Sequence, residues 1–316
     1  MYFLKLAAVA LSVAAVQSPL TDVKRLSEEP VLTPRVGMFD DLAAYNPTAV
    51  KVGGKTILLY RGQSKKGTSQ IGYAESTDGI HFTQAKEPVM CPETDYEKDG
   101  GIEDPRIVKI GGTYYMTYTG YNKTDAQLCL ATSTDLKHWQ RVGIIMPANK
   151  GTWNEKWTKS GAIVTKKING KYWMYYLGTA RGADQMGLAS STDLKHWQDA
   201  TNAPVLPKRD GMFDSKVIEP GPAPLMTKDG ILLIYNGADD KLVYRTGWVL
   251  FDKNDPSKVV TRCETPIFAP EKKWEVEGQV PNVVFVEGLT QSGNTLNLYY
   301  GAGDTSTGVL RCKLGK

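Results

Sequence analysis

The feature that most constrains this chain is an internal repeat. The octapeptide Ser-Thr-Asp-Leu-Lys-His-Trp-Gln occurs at 133–140 and again at 191–198, 58 residues later. A weaker copy, Ser76-Thr77-Asp78-Gly79-Ile80-His81-Phe82, starts 57 residues before the first. A fixed period of this length marks a chain built from copies of one supersecondary unit. Each unit reads as β-structure. Strand-like, Tyr-rich runs flank Gly53-Gly54, Gly111-Gly112, Asn169-Gly170, Asp229-Gly230 and Ser292-Gly293, each a hairpin signal. The hairpins cover 48–61, 106–119, 162–177, 223–237 and 283–301. Five copies predict an all-β, five-bladed β-propeller of four-stranded blades, which explains the period better than a sandwich does. The Ser-Thr-Asp segments read as turns. Asp135 and Asp193 are expected to accept backbone N–H groups there, with Trp139 and Trp197 packing between blades. The segment 30–34, Pro-Val-Leu-Thr-Pro, resembles 88–90 and 204–206. It is expected to form the outer strand of the last blade, beside 308–313, and so to close the ring and remove exposed edges.

Composition allows this. The chain has 316 residues, 41% hydrophobic and 23% charged, and no linker divides it, so one domain with a sizeable core is expected. Its start reads differently. One Lys in the first five residues is followed by the apolar run 6–16 and then by small residues up to Ser18. That is the order of a secretory signal, and the run is too short to span a bilayer. Residues 1–18 are therefore read as a signal peptide and 19–316 as the propeller, exported to a periplasmic or extracellular location. The net charge of +4 comes from 38 basic and 34 acidic residues with no basic block, which argues against nucleic acid as a partner. The four cysteines, Cys91, Cys129, Cys263 and Cys312, have no metal-type spacing, and Cys129 lies in an apolar strand pattern that suits a buried free thiol. With no His pair and no calcium-type loop, neither a metal nor another cofactor is expected.

In a propeller, the side chains that open each inner strand converge on one funnel. Those openings are Tyr45-Asn46-Pro47, Glu103-Asp104-Pro105-Arg106, Lys159-Ser160-Gly161, Glu219-Pro220-Gly221-Pro222 and Pro281-Asn282. Carboxylates, Asn and Arg are poor strand formers, so their presence points to solvent or to a ligand.

These same segments carry a resemblance. Gly101-Ile102-Glu103-Asp104-Pro105-Arg106, together with Tyr45-Asn46-Pro47, Tyr60-Arg61, Pro281-Asn282-Val283-Val284-Phe285 and Tyr299-Tyr300-Gly301-Ala302-Gly303-Asp304, resembles glycoside hydrolase family 130 from about residue 30 to the end. The resemblance implies a five-bladed propeller acting on β-mannosides, by phosphorolysis in most members and by hydrolysis in some. It implies that Asp104 is the catalytic acid and that Asn46, Arg61 and Asp304 hold the mannose ring. Glu103, Arg106, Lys159, Asn236 and Asn282 complete the expected substrate-binding set. Family members often assemble, so a homo-oligomer is one expectation. A mannose-containing oligosaccharide is the expected partner.

The chemistry agrees. A glycosidic oxygen leaves only when protonated, and an inverting enzyme needs a second group to direct attack on the opposite face. Glu103 beside Asp104 raises its proton affinity by like-charge repulsion, while Arg106 lowers it if turned the same way. Tyr118, Tyr121, Trp153 and Trp157 are candidates for stacking on sugar faces.

Phosphorylases of this family use a Lys before the Gly-Pro segment of the fourth blade, a His after that blade's second strand, and an Arg in the third. Here the His position is Asn236, Lys216 is one residue out of place, and Lys166 and Lys167 stand where an Arg is sought. Two acids appear instead, Glu219 and Glu287. Acids repel phosphate and can deprotonate water, so Asp104, Glu219 and Glu287 form the expected catalytic set of an inverting, exo-acting β-mannosidase, with β-1,2 linkages favoured. Phosphorolysis to mannose 1-phosphate is the alternative, and a non-catalytic carbohydrate-binding propeller is the third reading.

Overall fold

The computed structural model describes residues 18–180 and 182–315. The apolar run read as a signal peptide lies outside the described residues. What is described is β-structure, with one short helix, α1 (Lys273–Val276).

The strands fall into antiparallel groups that follow the sequence period. The first holds β2 (Ala43–Val52), β3 (Lys55–Gln63), β4 (Ser69–Ser76) and β5 (Thr83–Gln84). The second holds β6 (Gly101–Ile110), β7 (Thr113–Tyr121), β8 (Ala126–Ser133) and β9 (Gln140–Met146). The third holds β10 (Thr158–Ile163), β11 (Tyr172–Ala180), β12 (Ala183–Ser191) and β13 (Gln198–Asp199). In the fourth, Pro220 and Pro222 interrupt the first strand, giving β14 (Val217–Pro220) and β15 (Leu225–Met226), followed by β16 (Ile231–Ala238), β17 (Tyr244–Phe251) and β18 (Val259–Arg262). The fifth holds β19 (Val284–Ser292), β20 (Thr295–Ala302) and β21 (Ser306–Leu314).

The fifth group takes its outer strand from the N-terminal side, but not from 30–34. The partner of β21 is β1 (Leu20–Arg25), with Leu20 opposite Leu314 and Arg25 opposite Leu310. Residues 30–34 touch only the start of β21, through the single bridge Leu32–Thr307. The reason is donor supply. Pro30 and Pro34 have no N–H to give a ladder, whereas β1 offers an unbroken run of donors.

One device recurs in all five groups. A Tyr on the second long strand donates its hydroxyl to a carboxylate that a cation also holds. The five pairs are Tyr60 with Asp40 (2.7 Å), Tyr118 with Glu97 (2.9 Å), Tyr176 with Asp199 (2.5 Å), Tyr235 with Asp214 (2.6 Å) and Tyr300 with Glu275 (2.7 Å). The matching cations are Arg35, Arg141, Lys150, Arg209 with Arg262, and Arg25. Asp40, Glu97, Asp214 and Glu275 are fully buried, which a carboxylate tolerates only when its oxygens are satisfied. The Tyr rings also need room. A Cβ on Gly72 would lie 2.3 Å from the Tyr60 ring, and one on Gly308 would lie 2.3 Å from that of Tyr300.

The turns behave as the sequence predicts. Asp135 Oδ1 accepts the N–H groups of Lys137 (2.9 Å) and His138 (2.8 Å), and Asp193 does the same for Lys195 and His196. Trp139 and Trp197 pack half-buried against core clusters that join neighbouring groups. Polar ties add to this. Ile107 N–H donates to Thr48 Oγ1, Thr117 Oγ1 to Gly161 O, and Thr307 Oγ1 to Ala44 O. The last of these joins the fifth group to the first. The four cysteines are free thiols, and burial pushes that of Cys129 up to about 12. No described helix is long and apolar enough to cross a membrane.

Candidate active site

The first strands of three groups carry the same irregularity at the same place. Register slips between Tyr45 and Thr48 in β2, between Glu103 and Arg106 in β6, and between Lys159 and Ala162 in β10. Within each slip one non-glycine residue is left-handed: Asn46 (φ 47°), Asp104 (φ 52°) and Ser160 (φ 58°). A bulge inserts an unpaired residue and re-aims its side chain, and left-handed backbone at a non-glycine residue costs energy that packing must hold in place. All three residues are buried. A fourth slip, between Val286 and Gly288 in β19, does the same for Glu287. Asn282 (φ 61°) and Asp304 (φ 49°) are left-handed too.

These distortions gather the expected site residues. Asn46 Nδ2 donates to Asp104 Oδ1 at 2.9 Å, and its Oδ1 is buried without a partner. Arg61, on β3, lies across the ring of Tyr45 at 4.8 Å. Its guanidinium reaches Glu103 at 2.6 Å and Asp104 at 3.4 Å. Ser160 donates its hydroxyl to Glu219 on β14. Lys159 lies over Trp157 at 5.4 Å and feels Glu219, Asp104 and Glu103 as its charged surroundings. Asp304 is half-buried, and its electrostatic neighbours are Arg61, Asp104 and Lys159.

Two residues expected to bind substrate, Arg106 and Asn236, also make bonds within the protein. Arg106 donates to the carbonyls of Gly221 (2.9 Å), Pro220 (2.7 Å) and Asp104 (3.2 Å), and pairs with Glu287 at 2.8 Å. It straps β6 to the β14 turn and β19. Asn236 pairs both ways with the backbone of Val286, donating to its carbonyl at 3.0 Å and accepting its N–H at 2.8 Å. That ties β16 to β19 next to Glu287. Asn282 holds its place through its carbonyl, which accepts the Tyr244 N–H at 3.0 Å.

Electrostatics separates the carboxylates. Burial alone pushes Asp104 up, but Arg61, Lys159 and the Asn46 hydrogen bond together hold it below its ordinary value. Among the cations, Arg61, on the neighbouring group, lowers Asp104 most, and Arg106 contributes less. Burial raises Glu103 against the pull of Arg61. It raises Glu219 against Lys159 and Arg106. It raises Glu287 well above the usual range against Arg106. It lifts Asp304 to about 6. Asp104 is thus the carboxylate held lowest in the group, and Glu103, Glu219, Glu287 and Asp304 are the ones that burial raises.

The aromatic candidates divide. Tyr121 and Trp157 stand half-exposed, 6.0 Å apart, beside Lys159. Tyr118 is buried on Glu97, and Trp153 packs on Tyr176 at 5.9 Å. The cations considered for a phosphate pocket are also placed. Lys166 and Lys167 stand exposed on the turn that joins β10 to β11, and Lys216 donates to the carbonyl of Gly182. Ser160 lies near the start of β10 as Asn46 does in β2 and Asp104 in β6. Its alignment with Asn46-Pro47 and Asp104-Pro105 through the following Gly161 is the signal that marks it.

In this all-β protein the strand bulges converge on one lowered carboxylate, several raised ones and an Arg–Asn pair suited to hydroxyls, a set of groups fit for carbohydrate chemistry. The chain belongs to glycoside hydrolase family 130: residues 21–316 match the family model described as beta-1,4-mannooligosaccharide phosphorylase. It is therefore an enzyme acting on mannosides. It is 42% identical over 298 residues to the 1,2-beta-oligomannan phosphorylase of Thermoanaerobacter sp. (strain X514), covering 91% of this chain and 96% of that one. It is 36% identical over 302 residues to the beta-1,2-mannobiose phosphorylase of the same organism, covering 90% and 95%. It superimposes with a TM-score of 0.85, at 34% identity and covering 92% and 94%, on a solved structure reported under the statement that this family of mannoside phosphorylases contains glycoside hydrolases that target beta-1,2 mannosidic linkages in Candida mannan. The names of these relatives back phosphorolysis, the alternative in the sequence reading, better than they back hydrolysis.

Proposed function

We propose that this protein removes terminal mannose from β-1,2-linked mannosides with inversion, using Asp104 as the acid and water as the attacking group. The observation that supports water is the pair of buried carboxylates, Glu219 and Glu287, on the two strands that flank the Asn236 tie. Phosphate brings two negative charges. It would enter a site that already holds Asp104, Glu103, Glu219, Glu287 and Asp304 against Arg61, Arg106 and Lys159, with Arg106 spent on backbone carbonyls. In the proposed step, the proton held by Asp104 passes to the glycosidic oxygen, directly or through a sugar hydroxyl. The anomeric C–O bond to the leaving group breaks. A water forms the new bond from the opposite face and gives its proton to a glutamate. Asn46 Oδ1, buried and without a partner, is an acceptor placed for a sugar hydroxyl.

Phosphorolysis is the second reading, and the names of the relatives carry it. On this reading Lys159 supplies the cation and the raised glutamates enter as neutral acids. The two readings part on one assay. β-1,2-Mannobiose is incubated with and without inorganic phosphate, and free mannose and mannose 1-phosphate are counted separately. Hydrolysis gives mannose alone at a rate indifferent to phosphate. Mannose 1-phosphate as the main product would establish phosphorolysis and sink the water reading.

The finer architecture belongs here too. The five groups are read as blades of one propeller over 19–316, closed by β1. The Thr307–Ala44 bond and the β1–β21 pairing support this. Residues 1–18 are read as an export signal. N-terminal sequencing of the protein recovered from outside the cytoplasm tests that.

A further inference from the structure

We propose that Ser160 is a positioning residue that aims Glu219 into the site and favours its charged form, so that Glu219 and not Glu287 accepts the proton from the attacking group. This rests on the water reading above. The argument starts from equivalence. Ser160 occupies the bulge position that holds Asn46 in β2 and Asp104 in β6, and it is left-handed like them. Asn and Asp tolerate that conformation better than other residues with a Cβ, and Ser has no such advantage. A Ser held there, 1% exposed, needs a reason, and among the described residues its side chain donates to Glu219.

The surroundings of the two glutamates then decide between them. Glu287 is fully buried and pairs with Arg106, yet neither of its oxygens makes an aligned hydrogen bond. Arg106 is itself fixed by three carbonyls, so this pair is a plug between β6, β14 and β19. Glu219 has a wider set of polar and charged neighbours. These are Lys159 and Ser160 from β10, Asp104 and Arg106 from β6, and Tyr244 from β17. Lys159 and the Ser160 hydroxyl both favour its ionised form. A donor to a carboxylate stabilises the charge, so removing it lifts the proton affinity. The acid limb of the pH profile, where the base becomes protonated, must then move to higher pH.

The test uses three variants of the whole protein. Ser160→Gly removes the hydroxyl and relieves the left-handed backbone, so it should fold at least as well as the parent. Ser160→Ala removes the hydroxyl only. Ser160→Asn keeps a donor in a residue that suits the conformation. Two readouts are taken: kcat against pH on β-1,2-mannobiose, and the titration of Glu219 itself by NMR of side-chain 13C-labelled glutamate, assigned with Glu219→Gln. Ser160→Gly and Ser160→Ala should lose about tenfold or more in kcat. Their acid limb and Glu219 titration should rise together by about one pH unit. Ser160→Asn should restore much of both. An unshifted Glu219 titration in Ser160→Gly would overturn the proposal. If the titration shifts but Glu219→Gln hydrolyses as the parent does, Ser160 still holds the charge of Glu219, and the assignment of Glu219 as the base is what fails.

Discussion

Asn46 and Asp104 lie 58 positions apart in sequence, in equivalent bulges of neighbouring strand groups, and the amide of one donates to the carboxylate of the other at 2.9 Å. The repeat has placed two left-handed residues side by side and given them complementary chemistry. The bond favours ionised Asp104, and the acid must hold a proton to act. Replacing Asn46 by Gly keeps the backbone conformation and removes the donor. The proton affinity of Asp104 should rise, moving the basic limb of kcat up by about one pH unit, with KM increased because a sugar contact is lost. A pH profile whose basic limb does not move would separate Asp104 from that limb.

Asp104→Asn keeps shape and hydrogen bonding but cannot deliver a proton. Activity on an unactivated β-mannoside should fall by at least about a hundredfold, with the thermal transition within a few degrees of the parent. A dinitrophenyl mannoside, whose leaving group needs no proton, should lose far less. Near-normal turnover of mannobiose by this variant would remove Asp104 from the role of acid.

Asp304 titrates near 6, raised by burial over its ordinary value of 3.8. The sign follows from linkage. Between those two values the folded state binds the extra proton, so the contribution of Asp304 to stability is most favourable below about 4, falls as pH rises to about 6, and is level above that. Asp304 is only partly buried, so the penalty is about 1–2 kcal/mol. Asp304→Asn should flatten that slope and match or exceed the parent's stability at pH 7, measured by urea midpoints at several pH values. At the same time it should weaken substrate binding. An unchanged slope would show that Asp304 is not the group responsible.

Tyr118→Phe leaves Glu97 with Arg141 but without its phenolic donor. The loss should be about 1–3 kcal/mol of stability, with kcat and KM unchanged at a temperature where both proteins are folded. A chemical denaturation curve beside a mannoside assay checks both halves. A change in kcat would place this pair in the catalytic machinery, where the structure does not put it.

Arg25 on β1 pairs with fully buried Glu275, which Tyr300 also contacts. Removing one partner of a buried pair is costly, so Arg25→Met should lose about 3 kcal/mol. A chain beginning at Pro19 should be as stable as the full chain, and one beginning at Glu28 should be unstable or aggregate because β21 regains a free edge. A stable, soluble chain beginning at Glu28 would show that β1 does not hold the fifth group.

Much of this protein was written into local patterns. The 58-residue period, the Gly-containing turns and the Ser-Thr-Asp caps act over a few residues, so they specified the number of strand groups and the hairpins within each. The opening triplets, Asn46-Pro47 and Asp104-Pro105 above all, marked where those groups would break register. What the sequence could not decide was which distant groups meet. Two prolines kept 30–34 from forming the outer strand, yet only the packed fold shows β1 taking that place. The charge of Asp104 was expected to turn on Glu103 and Arg106, its neighbours in sequence. Tertiary structure gave the largest cationic effect to Arg61 from another group and sent Arg106 to the carbonyls of Pro220 and Gly221. The tie from Asn236 to the backbone of Val286 had no signal in the sequence. Even the recurring Tyr–carboxylate pairs are set by packing. The tyrosines recur with the repeat, and Asp40, Glu97, Asp214 and Glu275 each precede the first strand of their group, but the third group takes its carboxylate, Asp199, from β13. Secondary structure follows from short-range sterics and hydrogen bonding, which each segment carries with it. Charge states and side-chain partnerships depend on burial and on groups far away in the chain, so they exist only once the strands have come together.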